Sequence, residues 1–175
     1  MALFYALAAI GCVLMLTSLF FFLAWLRQLP AKALFEEPFA RTLLGLAAFS
    51  FALKMLLNIG TIFPALGQMV YGDRPVIIGF LHLVFLGFLT FFLLAALVEA
   101  GYFKRAGKTV RYPFVVFGAG IILNELFLGL QGLSNLLRNT SAVYNWLLWG
   151  GTMLLFAGAV LLFTARLRSE QPTGS

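Results

Sequence analysis

Four ionisable side chains lie inside long apolar runs, and these are where chemistry would reside: Lys54, His82, Glu99 and Glu125. A charge at the centre of a bilayer costs about 3 kcal/mol on insertion scales, so each such residue is a functional hypothesis. His82 is the only histidine in the chain. Its imidazole could donate to a neighbouring helix as a core residue, or ligate a metal, haem iron above all. Gly79 lies one turn before it and clears space on that face. Lys54 has Asn58 one turn later on the same face. That pair reads either as a proton-relay or ligand site, or as a lysine that snorkels or meets a carboxylate on another helix. Glu125 follows Asn124, and it could accept protons or serve as a structural partner for a buried donor. Glu99 sits near the end of its run and reads as interfacial.

Other chemistries lack their residues. There is no phosphate-cradling glycine loop, no G-x-S-x-G elbow and no H-E-x-x-H. No helix face carries paired carboxylates for general acid–base work. Cys12 is the only cysteine, which excludes an internal disulfide, covalent haem attachment through C-x-x-C-H and a cysteine zinc site.

The elements that must position these residues are membrane spans. Of 175 residues, 62% are hydrophobic and only 10% charged, against about 25% charged in soluble domains. A water-soluble fold of this length could not hide so much apolar surface. Spans of roughly 20 apolar residues are expected at about 3–26, 42–70, 75–103, 113–137 and 143–164, with Pro75 placed to open the third. Together 1–168 forms one helix bundle, with 169–175 as a polar tail. The first run continues past position 15 without a basic n-region, so it reads as a retained helix and not a signal peptide. Gly118, Gly120, Gly150 and Gly151 are expected to allow close helix contact.

Orientation follows from lysine and arginine. With five spans, one side carries Arg27, Lys32, Arg41, Lys104, Arg105, Lys108, Arg111, Arg166 and Arg168, and the other only Arg74 and Arg138. The richer side is cytoplasmic, which puts the N-terminus outside and the C-terminus in the cytoplasm. The net charge of +6 belongs to these flanks and not to a nucleic-acid-binding face. The expected fold class is an all-α integral membrane protein, a bundle of five transmembrane helices.

Around His82 the residues Tyr71-Gly72-Asp73-Arg74-Pro75-Val76-Ile77-Ile78-Gly79-Phe80-Leu81-His82-Leu83-Val84 resemble the haem-binding helix of haem-copper oxidase catalytic subunits. In that family an Asp precedes an H-F-H-Y-V motif, and the spacing from Asp to second histidine matches Asp73 to His82. The first histidine, ligand of the high-spin haem, is replaced by Phe80. The second, ligand of the low-spin haem, is kept. The run Phe127-Leu128-Gly129-Leu130-Gln131-Gly132-Leu133 is similar to the family's F-L-G-L-S-G-M, and the Tyr and Trp that follow it in the family are matched by Tyr144 and nearly by Trp146. The two arginines that hold haem propionates in the family are not matched, and Arg138 is the candidate replacement. The likeness covers about Val70 to Val160. The helices that carry the copper ligands and the opposing low-spin histidine have no counterpart.

The resemblance implies a bundle like the last five helices of those subunits, completed by another membrane chain or by further sequence of the same protein. It implies haem b with His82 as an axial ligand, Gly79 and Arg138 beside it, and a cytochrome or quinone as electron donor. The expected function is a respiratory or electron-transfer subunit that does not catalyse alone, in a bacterial cytoplasmic membrane. Two rivals stand beside it. One is a haem-free structural subunit of a membrane complex. The other is a small transporter or channel subunit that uses Lys54, Asn58 and Glu125, which requires a polar path joining the three.

Overall fold

The computed structural model describes residues 2–28, 35–60, 67, 74–103, 107–137, 139 and 141–170. Five long helices carry the chain: α1 (Ala2–Gln28), α2 (Pro38–Gly60), α3 (Arg74–Glu99), α4 (Gly107–Leu136) and α5 (Val143–Glu170). No strand occurs among the described residues. The helices α2 and α3, with 111–135 of α4 and 143–168 of α5, are long and apolar enough to cross a bilayer, and α1 contains a further apolar stretch, Ala9–Trp25. The chain is therefore a membrane protein.

Helix ends follow local rules more closely than hydropathy. The second helix opens at Pro38, ahead of the expected Thr42, because Pro tolerates the first turn and the Glu99 carboxylate receives the backbone N–H groups of Glu36 (2.9 Å) and Glu37 (3.1 Å). A carboxylate at a helix N-terminus satisfies orphan donors and favours the dipole. Glu99 is thus an inter-helix cap. The third helix stops at Glu99 instead of running to Phe103. Gly101 adopts φ 81°, Gly101 N–H donates to the Val98 carbonyl and Tyr102 N–H to the Leu97 carbonyl, a Schellman ending. The fourth begins at Gly107, so Pro113 lies inside it. The fifth continues through Ser169 and Glu170, which the polar tail was expected to contain. The expected extension of the second span, 61–66 and 68–70, lies outside the described residues.

Successive helices run antiparallel and pack in chain order. Phe22 on α1 meets Phe51 on α2 edge-on at 5.1 Å, and Phe51 meets Phe88 on α3 at 5.3 Å. The α3–α4 and α4–α5 contacts are set by glycines. A Cβ on Gly132 would lie 2.9 Å from Val76 Cγ2, one on Gly120 2.8 Å from the Leu155 nitrogen, and one on Gly158 2.5 Å from Phe117 Cα. Gly118 and Gly151 also face neighbours, Phe91 and Asn124, whereas Gly150 has open space around it.

The buried core gathers Ala40, Leu43 and Ala47 of α2, Phe91, Ala95 and Val98 of α3, Phe114 and Ile121 of α4, and Leu162 of α5. It occupies the half of the molecule nearest the end that bears Arg27, Arg41, Arg111, Arg166 and Arg168. At that end Phe114 stacks edge-on between Phe39 and Phe103, at 5.2 and 5.0 Å. Arg111 lies over Phe39, and Arg166 over Tyr102, whose carbonyl it also binds at 3.0 Å.

Within α3 the segment Leu83–Thr90 is π-helical. Buried positions along this helix include Leu83, Gly87, Phe91 and Ala95, a spacing of four. In an α-helix of about 3.6 residues per turn that stripe would drift by about 40° at each step. The wider i→i+5 turn takes the drift back, so one face stays buried. Gly87 makes this possible, since a Cβ there would lie 2.8 Å from Ser50 Oγ. Thr90 Oγ1 donates to the Phe85 carbonyl five residues back at 2.8 Å.

The glycine contacts are open to test by thermal unfolding in detergent. Gly158→Ala is expected to destabilise by about 1–3 kcal/mol through overpacking against α4. Gly150→Ala, with open space around it, is expected to be neutral or to stabilise by up to about 1 kcal/mol. Equal effects at the two positions would contradict the assigned α4–α5 interface.

Candidate functional site

Of the polar residues in the apolar runs, the fold brings together three. His82 ends the α-helical first part of α3 and directly precedes the π segment. Asn124 and Glu125 are adjacent on α4. The antiparallel register that sets Gly79 against Leu128 and Val76 against Gly132 puts His82 level with Asn124. The Asn124 amide Nδ2 donates to His82 Nδ1 at 3.1 Å. Glu125 Oε1 lies 4.0 Å from the same nitrogen.

The three differ in exposure in a way that fixes their roles. Asn124 is 4% exposed, and α5 closes over its backbone, since a Cβ on Gly151 would sit 3.6 Å from Asn124 Cα. The Glu125 side chain is 16% exposed and that of His82 38%. Glu125 Oε1 is buried with no hydrogen-bond partner among the described residues. A buried acceptor without a donor is rare and requires a physical reason. His82 Nδ1 lies 4.0 Å away, so the orphan oxygen becomes a hydrogen-bond acceptor if that nitrogen carries a proton and the ring shifts by under 1 Å towards it.

The chemistry of the set follows from the ring nitrogens. With Asn124 donating to Nδ1, a neutral imidazole carries its proton on Nε2. When Nε2 binds a metal, the proton moves to Nδ1, and Nδ1–H needs an acceptor such as a carboxylate, carbonyl or water. Glu125 Oε1, or the Asn124 carbonyl after rotation of its amide, meets that need. An imidazole held in this way at Nδ1 would leave Nε2 as the nitrogen able to hold a metal. Among the described residues no three His, Cys, Asp or Glu side chains converge as a metal cage.

The remaining sequence candidates are placed elsewhere or outside the described residues. Gly79 faces α4, where a Cβ would make ordinary contact with Leu128 at 3.8 Å. Asn58 Nδ2 donates to Met15 Sδ on α1 at 3.4 Å, away from Glu125. Lys54 is half-buried on α2, one turn beyond Ser50 and so level with Leu83. Arg138 and Tyr71–Asp73 lie outside the described residues. Sequence reasoning missed the π segment and the capping role of Glu99. The spacing of four in Leu83, Gly87, Phe91 and Ala95 was the available signal for the first.

A double-mutant cycle tests the link between helices. His82→Ala and Asn124→Ala, alone and together, are expected to show a coupling of about 0.6–1.7 kcal/mol in unfolding, the range for hydrogen bonds within membranes. Additive effects would mean that the two side chains do not interact. Compared with known proteins, the chain matches no protein-family model, no curated protein and no solved structure.

Proposed function

We propose that the chain is a membrane subunit of a respiratory or electron-transfer complex, and that His82 provides, through Nε2, one axial ligand of a low-spin b-type haem. The observation that carries this reading is the asymmetric hold on the imidazole. Its Nδ1 faces the Asn124 amide at 3.1 Å, whose carbonyl accepts from Nδ1–H once the amide rotates, and the Glu125 carboxylate at 4.0 Å, while the ring remains 38% exposed. The likeness of the His82 and Phe127–Leu133 segments to oxidase helices points the same way.

In this reading all five helices cross the bilayer, the N-terminus is outside, and the basic end faces the cytoplasm. The arginines of the described residues support it, because Arg27, Arg41, Arg111, Arg166 and Arg168 share one end and only Arg74 stands at the other. His82 then lies in the outer half of the membrane. The haem would supply one-electron exchange at iron. Asn124 and Glu125 orient the imidazole and take the Nδ1 proton's hydrogen bond. A second membrane chain would cover the exposed ring and add the opposite ligand, with Arg138 a candidate for a propionate and a cytochrome or quinone as donor. Catalysis would belong to the assembly, in a bacterial cytoplasmic membrane.

One rival has an observation behind it. The Asn124–His82 bond by itself joins α3 to α4, as a haem-free structural subunit would require. The transporter reading needs a polar path that joins Lys54, Asn58 and Glu125, and the Asn58 amide donates to Met15 Sδ on α1.

A reduced-minus-oxidised absorption spectrum of the complex purified from its own membrane separates the readings. A sharp α-band is expected that disappears in His82→Ala and persists, with a shifted midpoint potential, in Glu125→Gln. A colourless complex that assembles normally would overturn the haem reading and leave the structural one.

A further inference from the structure

Lys54 extends the buried stripe of α2, Ala40, Leu43, Ala47 and Ser50, by one further step of four. It lies six residues inside the end of α2 at Gly60, and level with Leu83, nine residues inside the start of α3 at Arg74. Those separations put it about 9 to 13 Å below the helix ends. A four-carbon stem is too short to carry the ammonium that far to the headgroups. An ammonium held in hydrocarbon is costly unless it pairs.

The neighbouring helices give it nothing to pair with at that level. Towards α1, the Asn58–Met15 and Phe51–Phe22 contacts bracket Lys54 and set it level with Leu19. Towards α3 it stands at Leu83. Both leucines are buried and apolar. The chain has six acids. Glu36, Glu37 and Glu99 meet at the arginine-bearing end, and Glu170 closes α5 at that same end. Asp73 lies outside the described residues and is bonded to Arg74, which stands two and a half turns above Leu83. Glu125 is closest in depth, but it belongs to α4, and its Oε1 lies 4.0 Å from His82 Nδ1. Among the described residues no ion pair or hydrogen bond reaches the Lys54 ammonium.

The counter-charge therefore has to come from outside these five helices. A lipid phosphate stays with the headgroups, above this level. A carboxylate on another membrane-spanning helix can stand at any depth, and ionisable residues within membranes pair with one another. We propose that Lys54 docks a partner transmembrane helix through an Asp or Glu side chain at the depth of Leu83. Such a pair fixes the partner's depth more sharply than apolar contact, for which lipid tails compete. The proposal rests on α2 and α3 crossing the bilayer and not on haem at His82. A colourless complex in which the pair persists would reject the haem and leave the pair.

The test uses native membranes that contain the full chain, treated with dicyclohexylcarbodiimide. The reagent enters hydrocarbon and activates a carboxylate. A neighbouring amine then displaces it, so an amide bond forms and the reagent leaves as its urea. Peptide mass spectrometry is expected to find Lys54 joined to an Asp or Glu in an apolar segment that is not part of these five helices. Recovery of that polypeptide with the chain should fall about tenfold or more in Lys54→Met and Lys54→Glu, as loss of a buried ion pair requires. It should stay near the parent's in Lys54→Arg, which keeps the charge, and return in Lys54→Glu when the partner's acid is replaced by Lys. The chain alone in detergent should melt no lower as Lys54→Met than as the parent, since no contact within the chain is lost. An amide to Glu125, an unmodified Lys54, a lower melting temperature in Lys54→Met, or unchanged recovery in Lys54→Glu would each overturn the proposal.

Discussion

A hydrogen bond made where no water can replace it governs the middle of this molecule. In hydrocarbon, the Asn124 amide and the His82 ring have no solvent to fall back on, so each must find the other or bear the full cost of burial. Their 3.1 Å contact selects one rotation and one axial register of α3 against α4. Apolar side chains alone would discriminate poorly between registers, because lipid tails compete equally for any apolar face. The glycine contacts are consistent with that single register. Gly79 meets Leu128 and Gly132 meets Val76 on one side of the bond, and Gly118 meets Phe91 on the other.

The same bond meets the π segment. His82 ends a regular turn, and the widened turn begins at Leu83. Without it, a buried stripe that repeats every four residues would wind off the α2 face before reaching Phe91 and Ala95. The segment therefore lets one helix serve two masters, the polar contact to α4 near its start and the tight Gly87–Ser50 approach to α2 at its middle. Beyond it, the core of small and aromatic residues is densest towards the arginine-bearing end. The other half is looser and contains the polar set.

Much of the architecture was legible in the residues. The long apolar runs give the helices because length and hydropathy are local properties. His82, Asn124 and Glu125 stood out singly, because a polar side chain in an apolar run is conspicuous whatever surrounds it. Their meeting was not legible. It depends on the α3–α4 register, which the hydrogen bond itself selects and the tight Gly132–Val76 approach accompanies, between segments that lie far apart in the chain. Glu99 was read as interfacial, while its role in holding the N-terminus of α2 depends on a contact 63 residues back in sequence. Gly101 could have marked the end of α3, since a glycine after a helical run is the common left-handed terminus.

The decisive measurement is solid-state NMR on protein with labelled histidine and asparagine in bilayers, where the sole histidine removes any ambiguity of assignment. A strong through-space correlation between His82 Nδ1 and the Asn124 side-chain amide is the predicted result. An imidazole that shows no contact with Asn124 and exchanges both nitrogens with water would contradict the account at its centre.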